Sequence, residues 1–269
     1  MAETENKDIN KEDGKMKSMS LGDHLEELRL RLFLAIAGLI VGFIIALIFG
    51  KFLFGIVVEP YADAVKLTGG TPHMQAIKPA EKFLMYLKTS LIFGLIFTAP
   101  WVFYQIWKFI APGLYKNETK FVYIVTPASA ALFVGGATFF LTVIAPLALK
   151  FFIGFDVGVD YVETNLTLDH YVDFMLALTL AFGIAFQLPI VIFFAEKLGL
   201  VTVEKLRKGR KFVFLGLFVA AAGATPPDPV SMLSLAAPLY VLYEGTIIVC
   251  AMLKRDSKKK ETESAEKDE

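Results

Sequence analysis

Long apolar segments alternate with short polar segments along most of this 269-residue chain. About 20 apolar residues in a helix are enough to cross the hydrocarbon layer of a bilayer. The pattern therefore predicts an all-α polytopic membrane protein with six transmembrane helices in a membrane domain over residues 20–253. The predicted spans are residues 32–50, 83–107, 121–149, 171–195, 212–224 and 230–253. The fifth apolar segment is the shortest, and as a helix it would be only about 20 Å long.

The stretch before the first span combines an apolar stripe with many charges. Leucines recur at helical spacing and predict one apolar face; they are Leu21, Leu25, Leu28 and Leu32. Carboxylates come first and arginines follow, an order that suits the dipole of a helix. Two interpretations are open. The stretch is either an interfacial helix that anchors the first span, or it presents a glutamate to a cationic ligand.

The distribution of charge predicts the orientation of the spans. The 27 basic and 27 acidic residues balance, so the chain has no overall bias toward nucleic acid. Most Lys and Arg residues lie before the first span, in the links after the second and fourth spans, and after the last span. The positive-inside rule then places both termini in the cytoplasm. The polar residues 1–19 and 254–269 are predicted to be disordered tails.

Sequence motifs of enzymes, metal sites and phosphate sites are absent from the chain. There is no His-Glu-x-x-His pair, no Gly-x-Ser-x-Gly elbow and no phosphate-binding glycine loop. The single cysteine, Cys250, excludes an intrachain disulfide. We therefore expect no enzymatic activity, no cofactor and no metal. A small-solute secondary transporter remains an alternative, because such a protein would also place polar groups inside its spans.

Three polar residues in the membrane domain need an explanation. Gln187 lies inside the fourth span, where its amide is either satisfied by a helix of the same chain or contacts another membrane helix. Glu244 lies in the sixth span at a depth that the sequence leaves open. Asp228 belongs to a proline-rich turn, where its carboxylate is expected to cap the following helix.

Four motifs occur in order at distinct positions relative to the spans. They are HLEELRLR at 24–31, FIAPGLYKNE at 109–118, AFGIAFQLP at 181–189 and TPPD at 225–228. Together they resemble the motifs of the multispanning core subunit of the twin-arginine protein translocase, the TatC family. The resemblance covers residues 20 to about 250, and it implies the same fold with short fifth and sixth helices.

The resemblance also implies a function and its partners. The family exports folded proteins across the bacterial inner membrane, driven by the protonmotive force. Its core subunit is the receptor for signal peptides with a consecutive Arg-Arg pair, and it assembles with small single-span subunits of the TatA and TatB type. A homo-oligomer in the assembled complex is expected, and the bilayer surrounds the spans.

Several site residues follow from the resemblance. The signal-peptide patch would be formed by the carboxylates of Glu27 and Glu118. The residues that would shape this patch are Leu28, Arg29, Phe109, Pro112, Leu114 and Tyr115. Gln187 occupies the intramembrane polar position, where the family has Glu or Gln and where the single-span partners contact the core subunit. Pro60 and Asp228 fall at loop positions linked to structure or function.

Overall fold

The structure is a computed structural model that describes residues 21–67, 69–110, 118–154, 166–224 and 229–265. Nine α-helices and one π-helical turn account for most of these residues. In order they are α1 (Leu21–Ile48), α2 (Gly50–Leu67), α3 (Glu81–Ile110), α4 (Glu118–Phe139), the π-helical turn (Phe140–Ile144), α5 (Ala145–Gly154), α6 (Leu168–Ala185), α7 (Leu188–Lys197), α8 (Val203–Ala224) and α9 (Pro229–Ala265). Among the described residues, extended pairing is limited to one isolated bridge between Gln75 and Thr167.

Five helical segments among the described residues are long and apolar enough to cross a membrane. They are His24–Ile48, Glu81–Ile110, Val122–Gly154, Leu168–Glu196 and Met232–Met252. The predicted fifth span, residues 212–224, forms the second half of α8, whose first half is polar and basic. The all-α multi-pass membrane fold predicted from the sequence is therefore confirmed.

Several predicted boundaries differ in the structure. The stretch before the first span is continuous with it, because α1 runs unbroken from Leu21 to Ile48. The segment that follows the first span is largely helical, since α2 continues through Pro60, for which the resemblance implied a loop position. The predicted fourth span is divided into α6 and α7, with the break at residues 186–187. Residues 254–265, predicted as part of a disordered tail, continue α9; they are rich in Lys and Glu, which favour helix.

Helix α1 packs closely along α3 because small residues face each other at the crossing. A Cβ built on Gly94 would lie 2.8 Å from the backbone nitrogen of Phe43, and one built on Gly42 would lie 2.7 Å from the Gly94 carbonyl oxygen. Small residues are the usual means of close helix packing in lipid, where the hydrophobic effect does not drive association. Two aromatic side chains of α3 add hydrogen bonds to α1 carbonyls, Trp101 to Leu34 at 2.9 Å and Tyr86 to Leu47 at 2.8 Å.

The N-terminal ends of α3 and α6 are joined through one buried carboxylate. Glu81, only 2% exposed, accepts hydrogen bonds from the backbone N–H groups of Ile77 and Lys78 at 2.8 and 2.9 Å. Its other oxygen accepts from the N–H of Asp169 at 3.0 Å. A charged acceptor strengthens each of these bonds. Glu81 thus caps the start of α3 and fixes the start of α6 with the same side chain.

Two ion pairs connect further helices. Lys88 of α3 contacts both carboxylate oxygens of Asp173 on α6, at 2.7 and 2.9 Å, and both side chains are half-exposed. Arg210 of α8 contacts Glu244 of α9 at 2.8 Å, and Tyr240 donates its hydroxyl proton to the same carboxylate at 3.0 Å. The pairing with Arg210 explains Glu244, because a paired carboxylate costs much less at the membrane than an isolated one.

Candidate functional site

The predicted binding glutamate, Glu27, lies in the second turn of α1, in the part of the helix that precedes the first span. Its side chain is only 17% exposed. One carboxylate oxygen, Oε1, accepts a hydrogen bond from Nη2 of Arg31 at 3.1 Å, one helical turn further along α1. The other oxygen, Oε2, is buried and has no hydrogen-bond partner among the described residues. Glu27 therefore has one carboxylate oxygen that could accept a further hydrogen bond from a cation.

Arg31 bridges α1 and α3. Its second terminal nitrogen, Nη1, lies 3.5 Å from Oε1 of Gln105, a residue that is only 2% exposed on α3. Its Nε is buried and also has no partner within the described part of the chain. The sequence predicts Arg31 as an interfacial anchor, but its guanidinium is mostly buried and directed at the candidate site. Sequence reasoning missed Gln105, although an amide inside an aromatic, apolar span is itself a signal of a polar contact.

An aromatic contact positions the start of α1 against the end of α3. The imidazole of His24 stacks on the ring of Phe109, with ring centroids 4.5 Å apart and an angle of 16° between the planes. Phe109, a predicted site residue, therefore lies one helical turn from Glu27 on the α1 surface. The other predicted residues of α1, Leu28 and Arg29, are exposed on the same helix.

The remaining predicted patch residues are described in part or not at all. Pro112, Leu114 and Tyr115 lie outside the described residues, as does Asp228 of the proline-rich turn. Glu118 is the first residue of α4, and its side chain lies outside the described part of the structure. The structure thus brings together Glu27, Leu28, Arg29 and Phe109, while the approach of Glu118 to them remains a prediction.

Gln187 makes its contact within the same chain. Its side-chain amide donates a hydrogen bond to the backbone carbonyl of Ser129 on α4 at 2.9 Å. The hydroxyl oxygen of Ser129 accepts a hydrogen bond from the indole N–H of Trp107 on α3 at 2.8 Å. Gln187 also stands at the break between α6 and α7. Of the two interpretations left open by the sequence, the structure supports an amide satisfied by a neighbouring helix of the same chain.

We expect the Gln187→Leu variant to lower the thermal midpoint of unfolding only modestly. The substitution removes one neutral hydrogen bond, worth about 1 kcal/mol, and keeps a side chain of similar volume. Gln187→Glu should cost more, because a carboxylate cannot donate a proton to the Ser129 carbonyl when it is ionised. Thermal unfolding of both variants in detergent, followed by tryptophan fluorescence, compares the two. Equal midpoints for Gln187→Leu and Gln187→Glu would contradict the donor role of the amide.

An apolar groove lies beside Gln187. It has a volume of about 540 Å³ and is formed by α4, α7 and α9. Pro189 and Phe193 of α7 form one wall, and Leu132 and Val249 line the opposite walls. Sequence reasoning did not identify this groove, because it requires the relative placement of three helices that are distant along the chain.

Comparison with known proteins assigns the fold and the motifs to one family. Residues 23–238 match the family model described as Sec-independent protein translocase protein (TatC). The protein of that name from Desulforapulum autotrophicum is 38% identical over 244 residues, which are 91% of this chain and 88% of the relative. The TatC protein of Aquifex aeolicus is 36% identical over 249 residues, covering 92% of this chain and 100% of the relative.

Solved structures agree with the sequence comparison. A crystal structure described as the twin arginine translocase receptor TatC in DDM aligns with a TM-score of 0.73 and 36% sequence identity. The alignment covers 84% of this chain and 98% of that chain. A second crystal structure of the receptor aligns with the same TM-score at 35% identity.

Proposed function

This chain belongs to the TatC family of Sec-independent protein translocase proteins, and from that premise we propose that it binds twin-arginine signal peptides through Glu27. Members of this family are components of a protein translocase, so the chain is a transport subunit and not an enzyme. Membership in the family also favours a translocase over the small-solute transporter. In the proposed orientation both termini lie in the cytoplasm, and the protein resides in the bacterial inner membrane.

The unpaired oxygen of Glu27 is the observation that carries this proposal. A buried carboxylate oxygen without a partner costs free energy, and an incoming cation that pairs with it removes that cost. A guanidinium presents a planar fork that can bond both carboxylate oxygens at once. A lysine ammonium has no such fork, so a Lys-Lys peptide should bind less tightly than an Arg-Arg peptide. In this proposal Glu118 supplies the second carboxylate for the second arginine.

The surface next to Glu27 suits the rest of a signal peptide. Such peptides carry an apolar segment of 7–15 residues after their basic start. Leu25 and Leu32 of α1 are 65% and 57% exposed, and Leu28 lies between them. An exposed leucine face that continues into the first span offers the apolar segment a path from the interface into the bilayer. Leu28, Arg29, Phe109, Pro112, Leu114 and Tyr115 would shape this binding patch.

Membership in the family also supports a proposal for the partner subunits. Small single-span subunits of the TatA and TatB type would contact the membrane face around Gln187, next to the apolar groove of α4, α7 and α9. The groove is lined mainly by apolar side chains, so a partner helix could pack its side chains there without burying unpaired polar groups. The assembled complex would contain several copies of this chain and would use the protonmotive force to export folded cargo. Pro60 in α2 would contribute to this function on the side of the membrane opposite the cytoplasm.

The Glu27→Gln variant tests signal-peptide binding. We expect its affinity for a synthetic twin-arginine signal peptide to fall about 10- to 100-fold, because a charge-assisted bond is lost. The measurement is fluorescence anisotropy of the labelled peptide with the protein in lipid nanodiscs. Glu26→Gln is the matched control, since it removes an exposed acid from the adjacent position of the same helix.

Two results would contradict the proposal. One is unchanged affinity in both Glu27→Gln and Glu118→Gln. The other is an equal loss of affinity in Glu26→Gln and Glu27→Gln, which would indicate a general effect of surface charge and not a defined site.

A further inference from the structure

The carboxylate of Glu27 is already in contact with a guanidinium that belongs to the chain itself. Arg31 lies four residues after Glu27, so its side chain reaches back over one turn of α1. The resulting pair, Nη2 to Oε1 at 3.1 Å, is of the same chemical type as the contact between Glu27 and the arginine of a signal peptide. The two guanidiniums therefore require the same carboxylate.

The internal pair is incomplete on both sides. Glu27 uses only Oε1, while Oε2 is buried and unpaired within the described residues. Arg31 bonds Glu27 through Nη2, its Nη1 is 3.5 Å from Gln105, and its Nε has no partner there. A distance of 3.5 Å is at the long limit for a hydrogen bond. An arginine and a carboxylate gain most from two parallel bonds, and this backbone spacing gives Arg31 only one.

We propose that Arg31 is an internal competitor that occupies Glu27 until the arginine of a signal peptide displaces it. This inference rests on the proposed function of Glu27 as the signal-peptide ligand. The incoming guanidinium would bond Oε1 and Oε2 together, which the internal one does not. Gln105 holds the displaced Arg31, since its amide oxygen is already within reach of Nη1.

The exchange keeps the carboxylate of Glu27 compensated throughout. Glu27 is paired with a cation before and after the peptide binds, so its mostly buried carboxylate is never left without a counter-charge, which would be costly. The affinity for a signal peptide is then set by the difference in free energy between two similar contacts of Glu27, one with the peptide arginine and one with Arg31. A receptor that must release its cargo benefits from such a difference, because neither the free nor the bound state is greatly favoured.

The Arg31→Gln variant tests the competition directly. We expect it to bind the labelled twin-arginine peptide about tenfold more tightly than the unaltered protein, because no internal cation has to be displaced. The same fold-change is expected for a Lys-Lys peptide, since the cost of displacing Arg31 is common to both ligands. In the Glu27→Gln background the substitution should have no effect on affinity, which a double-mutant cycle measures.

Lys108→Gln is the matched control. It removes one positive charge from the C-terminal end of α3. There Lys108 lies over the ring of Tyr104, with Nζ 5.4 Å from the ring centroid, and forms no ion pair with Glu27. Its affinity should change by less than about twofold, as expected for a screened surface charge. Equal tightening in Lys108→Gln and Arg31→Gln would overturn the inference, and so would unchanged or weaker binding by Arg31→Gln.

A second variant keeps the test valid if Arg31→Gln does not fold. Arg31→Lys retains the charge but loses the planar fork and the reach to Gln105, so it is a weaker competitor. It should bind the peptide about threefold more tightly, and unchanged or weaker binding would overturn the inference. Failure of the inference is distinguishable from failure of the proposed function. In the first case Glu27→Gln still loses affinity, and in the second case it does not.

Discussion

The Gly94→Val variant is expected not to accumulate as a folded protein in membranes. A Cβ at position 94 would lie 2.8 Å from the nitrogen and 2.9 Å from the Cα of Phe43, and 3.0 Å from the carbonyl carbon of Gly42. These are backbone atoms of α1, so no side-chain rotation can relieve the contacts. Overpacking in an interior costs about 1–3 kcal/mol even where side chains can adjust, and a backbone contact should exceed that range.

The measurement is the amount of protein recovered as a single species from detergent-solubilised membranes, together with its thermal midpoint. Gly135→Val is the control, because the same substitution at position 135 of α4 meets no atom within 4 Å. The intrinsic cost of valine in a helix is thus common to both variants. Normal recovery of Gly94→Val would show that α1 and α3 can separate without loss of the fold.

The Glu81→Gln variant is expected to lower the free energy of unfolding by about 3 kcal/mol. Both carboxylate oxygens of Glu81 accept backbone N–H groups, two from the segment before α3 and one from the start of α6. An amide in its place would turn an NH₂ group toward one set of donors, leaving them unsatisfied in a buried site. The loss should affect the N-terminal ends of α3 and α6 together, since one side chain holds both.

Hydrogen exchange measured by mass spectrometry localises the effect. In Glu81→Gln, peptides that contain residues 77–81 and 168–172 should exchange faster than in the unaltered protein, and the thermal midpoint should fall. Glu59→Gln is the matched control, because Glu59 is an exposed acid of α2. Unchanged exchange around residue 169 would contradict the role of Glu81 in joining the two segments.

The membrane spans could be predicted from the sequence because lipid imposes a simple rule on them. Backbone groups in the bilayer core must bond within their own helix, so each long apolar segment is a helix. The same rule does not apply outside the bilayer. Pro60 was placed in a loop, whereas α2 is a helix whose buried face, including Leu53 and Val57, packs on the core. Tertiary packing decided the structure of that segment.

Only the charged residues of the candidate site, and not their contacts with distant residues, could be predicted from the sequence. The pattern of charges left open which glutamate would bind a cation, and the resemblance of the motif at 24–31 to the family motif implied Glu27. The sequence did not reveal that Arg31, which pairs with Glu27, also reaches Gln105, a residue 74 positions away from it. Likewise, the sequence left two interpretations of Gln187 open, and the hydrogen bond to the carbonyl of Ser129, 58 positions away, satisfies its amide within the same chain. Contact with a partner helix remains a prediction. Contacts of this separation arise from helix packing, which a single sequence does not reveal.

The ion pairs between helices have a consequence for a protein in an energised membrane. A single charge that moves across a membrane potential of 100 mV gains or loses about 2.3 kcal/mol. Lys88 and Asp173 are 2.7 Å apart, and Arg210 and Glu244 are 2.8 Å apart, so the two charges of each pair lie at nearly the same depth. The electric forces on the two members are then equal and opposite. Polarising or depolarising the membrane therefore performs little net work on either pair as a unit, and we expect the contacts between α3 and α6 and between α8 and α9 to be retained in both states.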